Sequence, residues 1–320
     1  MSRKNVLWVD EQTLAKDASG KTYIVTGANS GVGLETTRQL IRQGGRVVMA
    51  CRRTDAAAEA AEGFAGLKGC YEVIQLDLAD LASVREFVTE FLKKHDRLDG
   101  LVCNAGLVTM GSGPQRTKDG LEMTMAVSFF GHFLLTELLL DLLKRSAPSR
   151  VVLLSSVMHA GNKNNRPDVQ LDDLNFHNRK FNNFAAYSEA KVALVLYAKE
   201  LAARLAGTDV TTASVHPGWA RSNFGGNGLL MRVARVLLAP FMPFVSDSNE
   251  EAAQTTLHCL LSDDAPNHSG AYFSQSSVLY SDKECKNGGW PMDSPNPNAR
   301  NSDTARKLVN LSYETVGLSN

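Results

Sequence analysis

Short apolar runs alternate along the chain with longer segments in which apolar residues recur every three or four positions. The short runs are typical of buried strands, and the longer segments are typical of amphipathic helices. The predicted strands are residues 21–28, 46–53, 71–78, 98–106, 150–156 and 210–218. The predicted helices are residues 32–45, 54–66, 83–95, 121–144, 185–207 and 303–317. The chain therefore repeats a strand followed by a helix.

The strand and helix alternation predicts the fold class. Strands that are apolar nearly throughout are buried on both faces, and helices of ten or more residues between them indicate a parallel sheet. Right-handed crossovers then give a doubly wound, Rossmann-type α/β fold. We predict a single domain over residues 1–320, with residues 1–20 as an N-terminal extension. The Asn-, Gly- and Pro-rich residues 275–301 are predicted to be an irregular loop.

The net charge of the chain indicates which class of molecule the protein binds. Lys and Arg together number 34, as do Asp and Glu, so the formal net charge is zero. A nucleic-acid-binding protein needs excess positive charge to displace counterions from phosphates. The balance therefore argues against nucleic acid and favours a small-molecule partner.

The cysteines and the first twenty residues bear on the compartment. The 5 cysteines are scattered without a C-x-x-C pair, which indicates a reducing compartment and no metal site. Residues 1–20 contain no continuous apolar stretch, so neither a signal peptide nor an N-terminal membrane anchor is predicted. We therefore expect a cytoplasmic location.

A glycine-rich turn, TGANSGVG at residues 26–33, lies between the first strand and the first helix. Glycine permits a tight turn and close approach of a ligand, and a helix N-terminus offers N–H groups and a positive dipole end. In this position the turn predicts a site for the pyrophosphate of a dinucleotide. Its residues are Gly27, Ala28, Asn29, Ser30, Gly31, Val32 and Gly33.

The end of the second strand indicates which dinucleotide is used. An acidic residue there would bind a ribose hydroxyl, whereas a basic residue accommodates a 2′-phosphate. The strand ends in Arg52 and Arg53, with no acid before Asp55. Because arginine presents a planar fork that suits phosphate, we predict NADP(H). The alternative is a solvated arginine pair without a ligand.

Three residues in the second half of the chain suggest acid–base chemistry. Tyr187 and Lys191 are four apart on the long helix and project from one face. A neighbouring ammonium lowers the pKa of a tyrosine, which is otherwise near 10 and too high for catalysis at neutral pH. Ser156 ends the fifth strand, at the edge where ligands bind in such sheets, and its hydroxyl would orient a substrate carbonyl.

These motifs together resemble the short-chain dehydrogenase/reductase family over nearly the whole chain. Besides the residues above, the resemblance rests on Asp77-Leu78, Asn104-Ala105-Gly106 and Pro217-Gly218. The residues that it assigns to the cofactor cleft are Asp77, Leu78, Asn104, Ala105, Gly106, Tyr187, Lys191, Pro217, Gly218 and Ser222. The first two would border the adenine, the next three would line the cleft, and the last three would flank the nicotinamide. Lys191 would also hold the nicotinamide ribose.

Within this family the chain is similar to the retinol dehydrogenase-like branch, on segments such as TKDGLEMTM (117–125), GHFLLTELLLDLLKRSAPSRVV (131–152) and HPGWARS (216–222). Other segments also resemble light-dependent protochlorophyllide reductases. The resemblance implies that the protein interconverts a carbonyl and an alcohol on a lipophilic substrate such as a retinoid, a long-chain aldehyde or a steroid. Light-driven reduction of a tetrapyrrole double bond is the nearer alternative.

One departure from the family bears on activity. Ser128 stands where the family has an asparagine that supports a water-mediated proton relay to the lysine. The backbone part of such a relay survives in a serine, so we expect weakened catalysis. A regulatory protein that binds the cofactor without turnover is the alternative. The family also offers no counterpart for Cys285, Trp290 and Pro291.

The predicted substrate side follows the sixth strand. Residues 223–245 are strongly apolar and are expected to cover the substrate, with peripheral membrane contact through residues 228–244 and a helix packed on its own core as alternatives. The resemblance suggests a homodimer that pairs through the fourth and fifth helices. His132, His159 and His216 are expected to be structural, because the tyrosine needs no second acid–base group.

Overall fold

The computed structural model describes residues 5–220, 246–277 and 283–319. In these ranges the strands are β1 (Thr22–Thr26), β2 (Arg46–Cys51), β3 (Cys70–Gln75), β4 (Gly100–Cys103), β5 (Ser149–Leu154), β6 (Val210–His216), β7 (Tyr272–Ser274) and β8 (Gly289–Met292). They form one sheet in the order β3-β2-β1-β4-β5-β6-β7-β8. All pairs are parallel except β7 with β8.

Helices cover both faces of this sheet. They are α1 (Glu11–Leu14), α2 (Gly31–Arg42), α3 (Thr54–Ala61), α4 (Leu81–Lys94), α5 (Met123–Met125), α6 (Gly131–Arg145), α7 (Asn183–Arg204), α8 (Asn249–Leu261), α9 (Lys283–Asn287) and α10 (Ser302–Val316). One hydrophobic cluster packs α4, α6, α7 and α10 against one face, and a second packs α2, α3 and α8 against the other. The predicted doubly wound parallel sheet is confirmed.

Aromatic rings join the helices of the first cluster. The ring of Phe133 on α6 lies 5.0 Å from that of Tyr197 on α7 and 5.2 Å from that of Tyr313 on α10, measured between centroids. Fully burying a side chain of this size stabilises a fold by about 1.5–3 kcal/mol. The faces of α6 and α7 that contact α10 are therefore closed, and a homodimer through these helices would use their remaining surfaces.

Residues 275–301 are more regular than predicted. Asn and Gly favour turns, but the segment forms helix α9 and strand β8, which pairs with β7. Pro291 is tolerated in β8 because this strand lies at the edge of the sheet, where one backbone N–H is not needed for a ladder. The irregular-loop prediction failed because strand pairing is decided by residues distant in sequence.

The N-terminal extension packs against helix α8 and the end of β7. The Nζ of Lys16 donates to the carbonyl of Leu261 at 2.8 Å, and the amide of Val9 donates to Gln254 at 3.2 Å. The amide of Leu7 donates to Oε1 of Gln275 at 2.7 Å. The predicted substrate cover, residues 223–245, lies outside the described residues.

Candidate active site

Six strand ends bring the predicted site residues to one edge of the sheet. The residues just beyond β1 to β6 are Gly27, Arg52, Asp77, Asn104, Ser156 and Pro217, in chain order. Since these six strands are parallel, their carboxyl ends lie together. Strand β1 lies between β2 and β4, so the connections diverge on its two sides and a crevice opens there.

The glycine-rich turn is shaped by positions where only glycine fits. Gly27 and Gly31 have φ angles of 63° and 58°, which side chains disfavour. A Cβ on Gly33 would lie 2.5 Å from Nδ2 of Asn104 and 2.6 Å from the carbonyl oxygen of Gly27. Any larger residue at Gly33 would therefore separate α2 from the ends of β1 and β4.

The same turn fits an anionic group. Among the described residues, no heavy atom outside the adjoining backbone lies within 4 Å of the Cβ position at Gly31, so the space beside this residue is open to them. Ser30 is the N-cap of α2, and its side chain makes no capping hydrogen bond, which leaves the first-turn N–H groups without that acceptor. Uncapped N–H groups and the positive end of the helix dipole suit the pyrophosphate of a dinucleotide.

Thr26 connects the end of β1 to the residues after β4 through hydrogen bonds. Its Oγ1 accepts hydrogen bonds of 2.9 Å from the amides of both Asn104 and Ala105, and Nδ2 of Asn104 donates to the Thr26 carbonyl at 2.7 Å. Oγ1 also lies 2.9 Å from Nε2 of His132, which is fully buried on α6. Sequence reasoning did not single out Thr26, although a polar residue that ends an apolar strand was a usable signal.

The residues predicted beside the adenosine lie at the ends of β2 and β3. The side chains of Arg52 and Arg53 are exposed, and Arg53 is the N-cap of α3. Leu78 is buried, and Oδ1 of Asp77 accepts from the amide of Ala79 at 2.9 Å. The carboxylate of Asp77 thus shapes the turn into α4, while the two guanidinium groups are open to solvent.

Tyr187 and Lys191 lie side by side near the end of β5. The Nζ of Lys191 is 5.4 Å from the centre of the Tyr187 ring, and both residues are buried. Nζ donates to the carbonyl of Leu154 at 2.6 Å, and Oγ of Ser155 donates to the carbonyl of Lys191 at 2.8 Å. Burial lowers the pKa of Lys191 to about 7, because a charged ammonium is poorly solvated there.

The hydroxyl of Ser156 has a defined orientation. It begins a short 3₁₀ turn, Val157–Ala160, and its Oγ accepts from the amide of Met158 at 3.2 Å. A hydroxyl that accepts through a lone pair retains its proton for a second partner. Ser156 can therefore donate to an oxygen in the crevice while it stays fixed by the turn.

Ser128 lies beside Lys191 in a π-helical turn, Ala126–Phe130, that joins α5 to α6. Its Oγ is fully buried and has no hydrogen-bond partner within the described residues. The Cβ position of Gly106 would be 3.4 Å from the Nζ of Lys191 and 3.6 Å from this Oγ, so both polar groups face the same residue. The Ser128 carbonyl lies 3.2 Å from Nδ1 of His132.

The turn after β6 is held by an aspartate that the sequence did not reveal. Gly218 has a φ of 90°, and a Cβ there would collide with the carboxylate of Asp247. Oδ2 of Asp247 also accepts from the amide of Trp219 at 2.8 Å. The partners are about thirty residues apart, which is why no local pattern signalled the contact. Ser222 lies outside the described residues.

Comparison with known proteins places this geometry in a family. A sequence model of the short chain dehydrogenase family matches residues 21–166. Human retinol dehydrogenase 13 is 38% identical over 303 residues, which cover 93% of this chain and 85% of that protein. Bovine retinol dehydrogenase 12 is 41% identical over 301 residues, with coverages of 93% and 87%.

A solved structure supports the same fold. The crystal structure of an uncharacterised protein from Mycobacterium paratuberculosis superposes with a TM-score of 0.72 at 28% sequence identity. The alignment covers 95% of this chain and 96% of that chain. The similarity therefore extends beyond the crevice to nearly the whole fold.

The predicted cytoplasmic location is wrong. It relied on the lack of an apolar stretch in residues 1–20, whereas the relatives are named for retinol, a lipid-soluble alcohol that partitions into membranes. Within the described residues, the helical span Met123–Arg145 is also long and apolar enough to cross a membrane, although 78% of its most apolar window is buried in the fold. Core helices of folded proteins share this length and composition.

Three findings now agree. The sheet is doubly wound, the strand ends carry a glycine turn and a Tyr–Lys pair, and relatives with 38% to 41% identity match most of the chain. Members of this family are oxidoreductases. The chain belongs to the short-chain dehydrogenase/reductase family, in its retinol dehydrogenase-like branch.

Proposed function

We propose that the protein is an NADP(H)-dependent enzyme that interconverts a carbonyl and an alcohol on a lipophilic substrate. The observation that carries this proposal is the buried contact between the Nζ of Lys191 and the ring of Tyr187, 5.4 Å from its centre, beside Ser156 at the end of β5. When bound, the nicotinamide supplies or accepts the hydride. The side chains of Tyr187, Lys191 and Ser156 orient the substrate oxygen and transfer its proton.

Tyr187 transfers the proton to or from the substrate oxygen. A charged Lys191 next to its ring stabilises the phenolate and so lowers the pKa of the tyrosine. Burial lowers the pKa of Lys191 to about 7. A phenolate beside it would favour the charged form of the lysine, so the two opposite charges would stabilise each other. Ser156 donates its hydroxyl proton to the same oxygen and fixes its position.

The cofactor half of the proposal uses the backbone turn at residues 27–33 and the two arginines after β2. The uncapped N-terminus of α2 would hold the pyrophosphate, and Arg52 with Arg53 would pair with a 2′-phosphate. Asn104, which is fixed by Thr26, would line the cleft between them. This choice of NADP(H) over NAD(H) rests on the exposed guanidinium pair.

Exposed apolar side chains near Tyr187 favour a lipophilic substrate. Phe184, three residues before Tyr187 on the same side of α7, is 57% exposed, and Met110 is 59% exposed. The first turn of α7 is joined to the loop that contains Met110, because Nδ2 of Asn183 donates to the carbonyl of Gly111 at 3.0 Å. The names of the relatives make a retinoid the first substrate to test.

The test is NADPH consumption in the dark with all-trans-retinal, comparing the wild-type protein with Tyr187→Phe. Loss of the phenolic proton should abolish turnover while NADPH still quenches protein fluorescence with the same affinity. Tyr197→Phe, the same change further along α7 at a hydroxyl that bonds Glu137, is the matched control and should retain turnover.

Each other result has a defined meaning. Equal turnover by wild type and Tyr187→Phe contradicts the catalytic assignment. NADPH binding without turnover on retinal, long-chain aldehydes or steroid ketones favours a regulatory cofactor-binding protein, the alternative that Ser128 raises. A rate that appears only under illumination favours reduction of a tetrapyrrole.

A further inference from the structure

The segment after β7 packs against the short 3₁₀ turn, Val157–Ala160, that follows Ser156. Cys285 of α9 packs with Val157 and Ala160 in a small buried cluster. Eleven residues later, Nδ2 of Asn296 donates to the carbonyls of His159 and Pro167, at 2.7 Å each. The turn is therefore held from two sides by a segment more than 120 residues away in sequence.

His159 is the centre of this contact. It is fully buried, its Nδ1 lies 2.6 Å from the carbonyl oxygen of Ser156, and its Nε2 lies 2.8 Å from Oγ of Ser294. A carbonyl can only accept, so Nδ1 carries the proton and Nε2 accepts from the Ser294 hydroxyl. Burial lowers the pKa of His159 to about 4, which keeps the ring neutral and in this one tautomer at physiological pH.

The hydrogen bonds form a chain that ends at the substrate-orienting serine. The amide of Asn296 donates to Oγ of Ser294 at 3.2 Å, Ser294 donates to His159, and His159 donates to the Ser156 carbonyl. The backbone amide of His159 donates to that same carbonyl at 3.0 Å. Both donors fix the turn that presents the Met158 amide to Oγ of Ser156.

We infer that His159, oriented by Ser294, is a positioning residue that aims the Ser156 hydroxyl at the substrate oxygen. The inference rests on the proposed function, because it assigns a role to the catalytic serine. His159 does not touch the reacting atoms; it acts by holding the shape of the turn. The segment around Ser294 thereby becomes part of the catalytic machinery, although it lies outside the motifs that identify the family.

The test measures kcat for retinal reduction in Ser294→Ala, Ser156→Ala and the double variant. Loss of the Ser294 hydroxyl should lower kcat about tenfold, as misplaced catalytic groups do, with little change in NADPH affinity. In the Ser156→Ala background the same change should have almost no further effect, because its path to the substrate is gone. Ser149→Ala is the matched control: it removes a buried serine hydroxyl, bonded to Leu143 at 2.8 Å, at the opposite end of β5.

Conservative replacement of the histidine sharpens the test. His159→Asn keeps an N–H donor near the Nδ1 position and should retain most of the wild-type kcat. His159→Phe keeps a ring but no donor, and it should resemble Ser294→Ala. Equal kcat losses in the Ser294→Ala and Ser149→Ala proteins, or additive losses in the double variant, would overturn the inference.

The hydrogen-exchange rate of the Met158 amide tests the role of His159 independently of turnover. Its N–H bonds Oγ of Ser156, so loosening of the turn should speed its exchange roughly fivefold or more in Ser294→Ala and leave it unchanged in Ser149→Ala. Unchanged Met158 exchange in both variants contradicts the inference, whatever the enzyme's activity. A wild-type protein without turnover contradicts the proposed function instead, and the exchange result still stands.

Discussion

The two halves of the crevice are built in different ways. From Gly27 to Asn104, the shape of the site depends mainly on backbone positions where a Cβ does not fit, such as Gly33. From Ser156 onward, the site consists of residues that buried polar groups hold in place, such as His159 and Asp247. On the proposed function, the first half would hold the dinucleotide and the second half would set the chemistry.

This difference explains which half a sequence reveals. A backbone site requires glycine at fixed spacing, so its signature is local and readable. A side-chain site depends on contacts such as Ser294 with His159, whose partners are 135 residues apart.

Replacing Gly33 with alanine should break the backbone half most severely. The new Cβ would meet Asn104 and the Gly27 carbonyl at 2.5 and 2.6 Å, so dinucleotide affinity should fall by roughly a hundredfold, comparable to other misplacements of this size. NADPH titration followed by fluorescence measures the loss. Gly113→Ala, where no atom lies within 4 Å of the added Cβ, is the control, and an unchanged affinity in Gly33→Ala would refute the cradle.

Removing the two arginines should change cofactor choice without damaging the cradle. In an Arg52→Gln, Arg53→Gln variant, NADPH affinity should fall about ten- to a hundredfold, because each charge-assisted bond to phosphate contributes about 1.5–3 kcal/mol before solvent screening. NADH affinity should change little. Arg46→Gln removes an exposed arginine at the other end of β2 and serves as control. Equal losses for both cofactors would exclude a 2′-phosphate contact.

A buried histidine in the side-chain half should make the fold sensitive to acid. His216 has no hydrogen-bond partner for either ring nitrogen within the described residues, and burial lowers its pKa to about 3. Between about pH 6.5 and that value the unfolded chain binds a proton that the fold does not. The contribution of His216 to the free energy of unfolding should therefore fall by up to about 1.4 kcal/mol per pH unit as pH decreases through this range.

The variant His216→Leu removes the imidazole that binds this proton in the unfolded chain. Urea unfolding at pH 7, 6 and 5 should show a pH slope that is shallower than wild type by this amount, with no loss of stability at pH 7. The same slope in both proteins would mean that His216 titrates normally.

The smallest effect is expected at Ser128. Ser128→Asn should leave kcat unchanged or raise it a few-fold, because an amide would give the space near Lys191 a polar group with more hydrogen-bonding capacity. Ser128→Ala should not reduce the free energy of unfolding, since the hydroxyl that it removes is buried without a partner among the described residues. A fall in kcat for Ser128→Asn in a protein of normal stability would show that the serine itself is required.

The sequence alone predicted the sheet well and the side-chain half poorly. Apolar runs located β1 to β6, because burial on both faces leaves a continuous pattern. Strand β8 was missed, since Trp290 and Pro291 form a strand only by pairing with β7. Asp247 was missed for the same reason, because it acts through the Trp219 amide, a partner that no local pattern specifies. Thr26 was missed although a polar residue that ends an apolar strand was a usable signal. Tyr187 and Lys191 were found because their partners are one helical turn apart.

The packing of α10 has a consequence for synthesis on the ribosome. Glu137, nearly buried on α6, accepts from Arg204 and from the hydroxyl of Tyr313, which is 176 residues further along. At a translation rate of about 5–20 residues per second, that separation takes roughly 9 to 35 seconds to complete. During this interval the nascent chain carries the apolar face of α6, and after residue 204 also that of α7, before α10 exists to cover them. The sequence position of Tyr313 therefore sets how long these surfaces stay uncovered during synthesis.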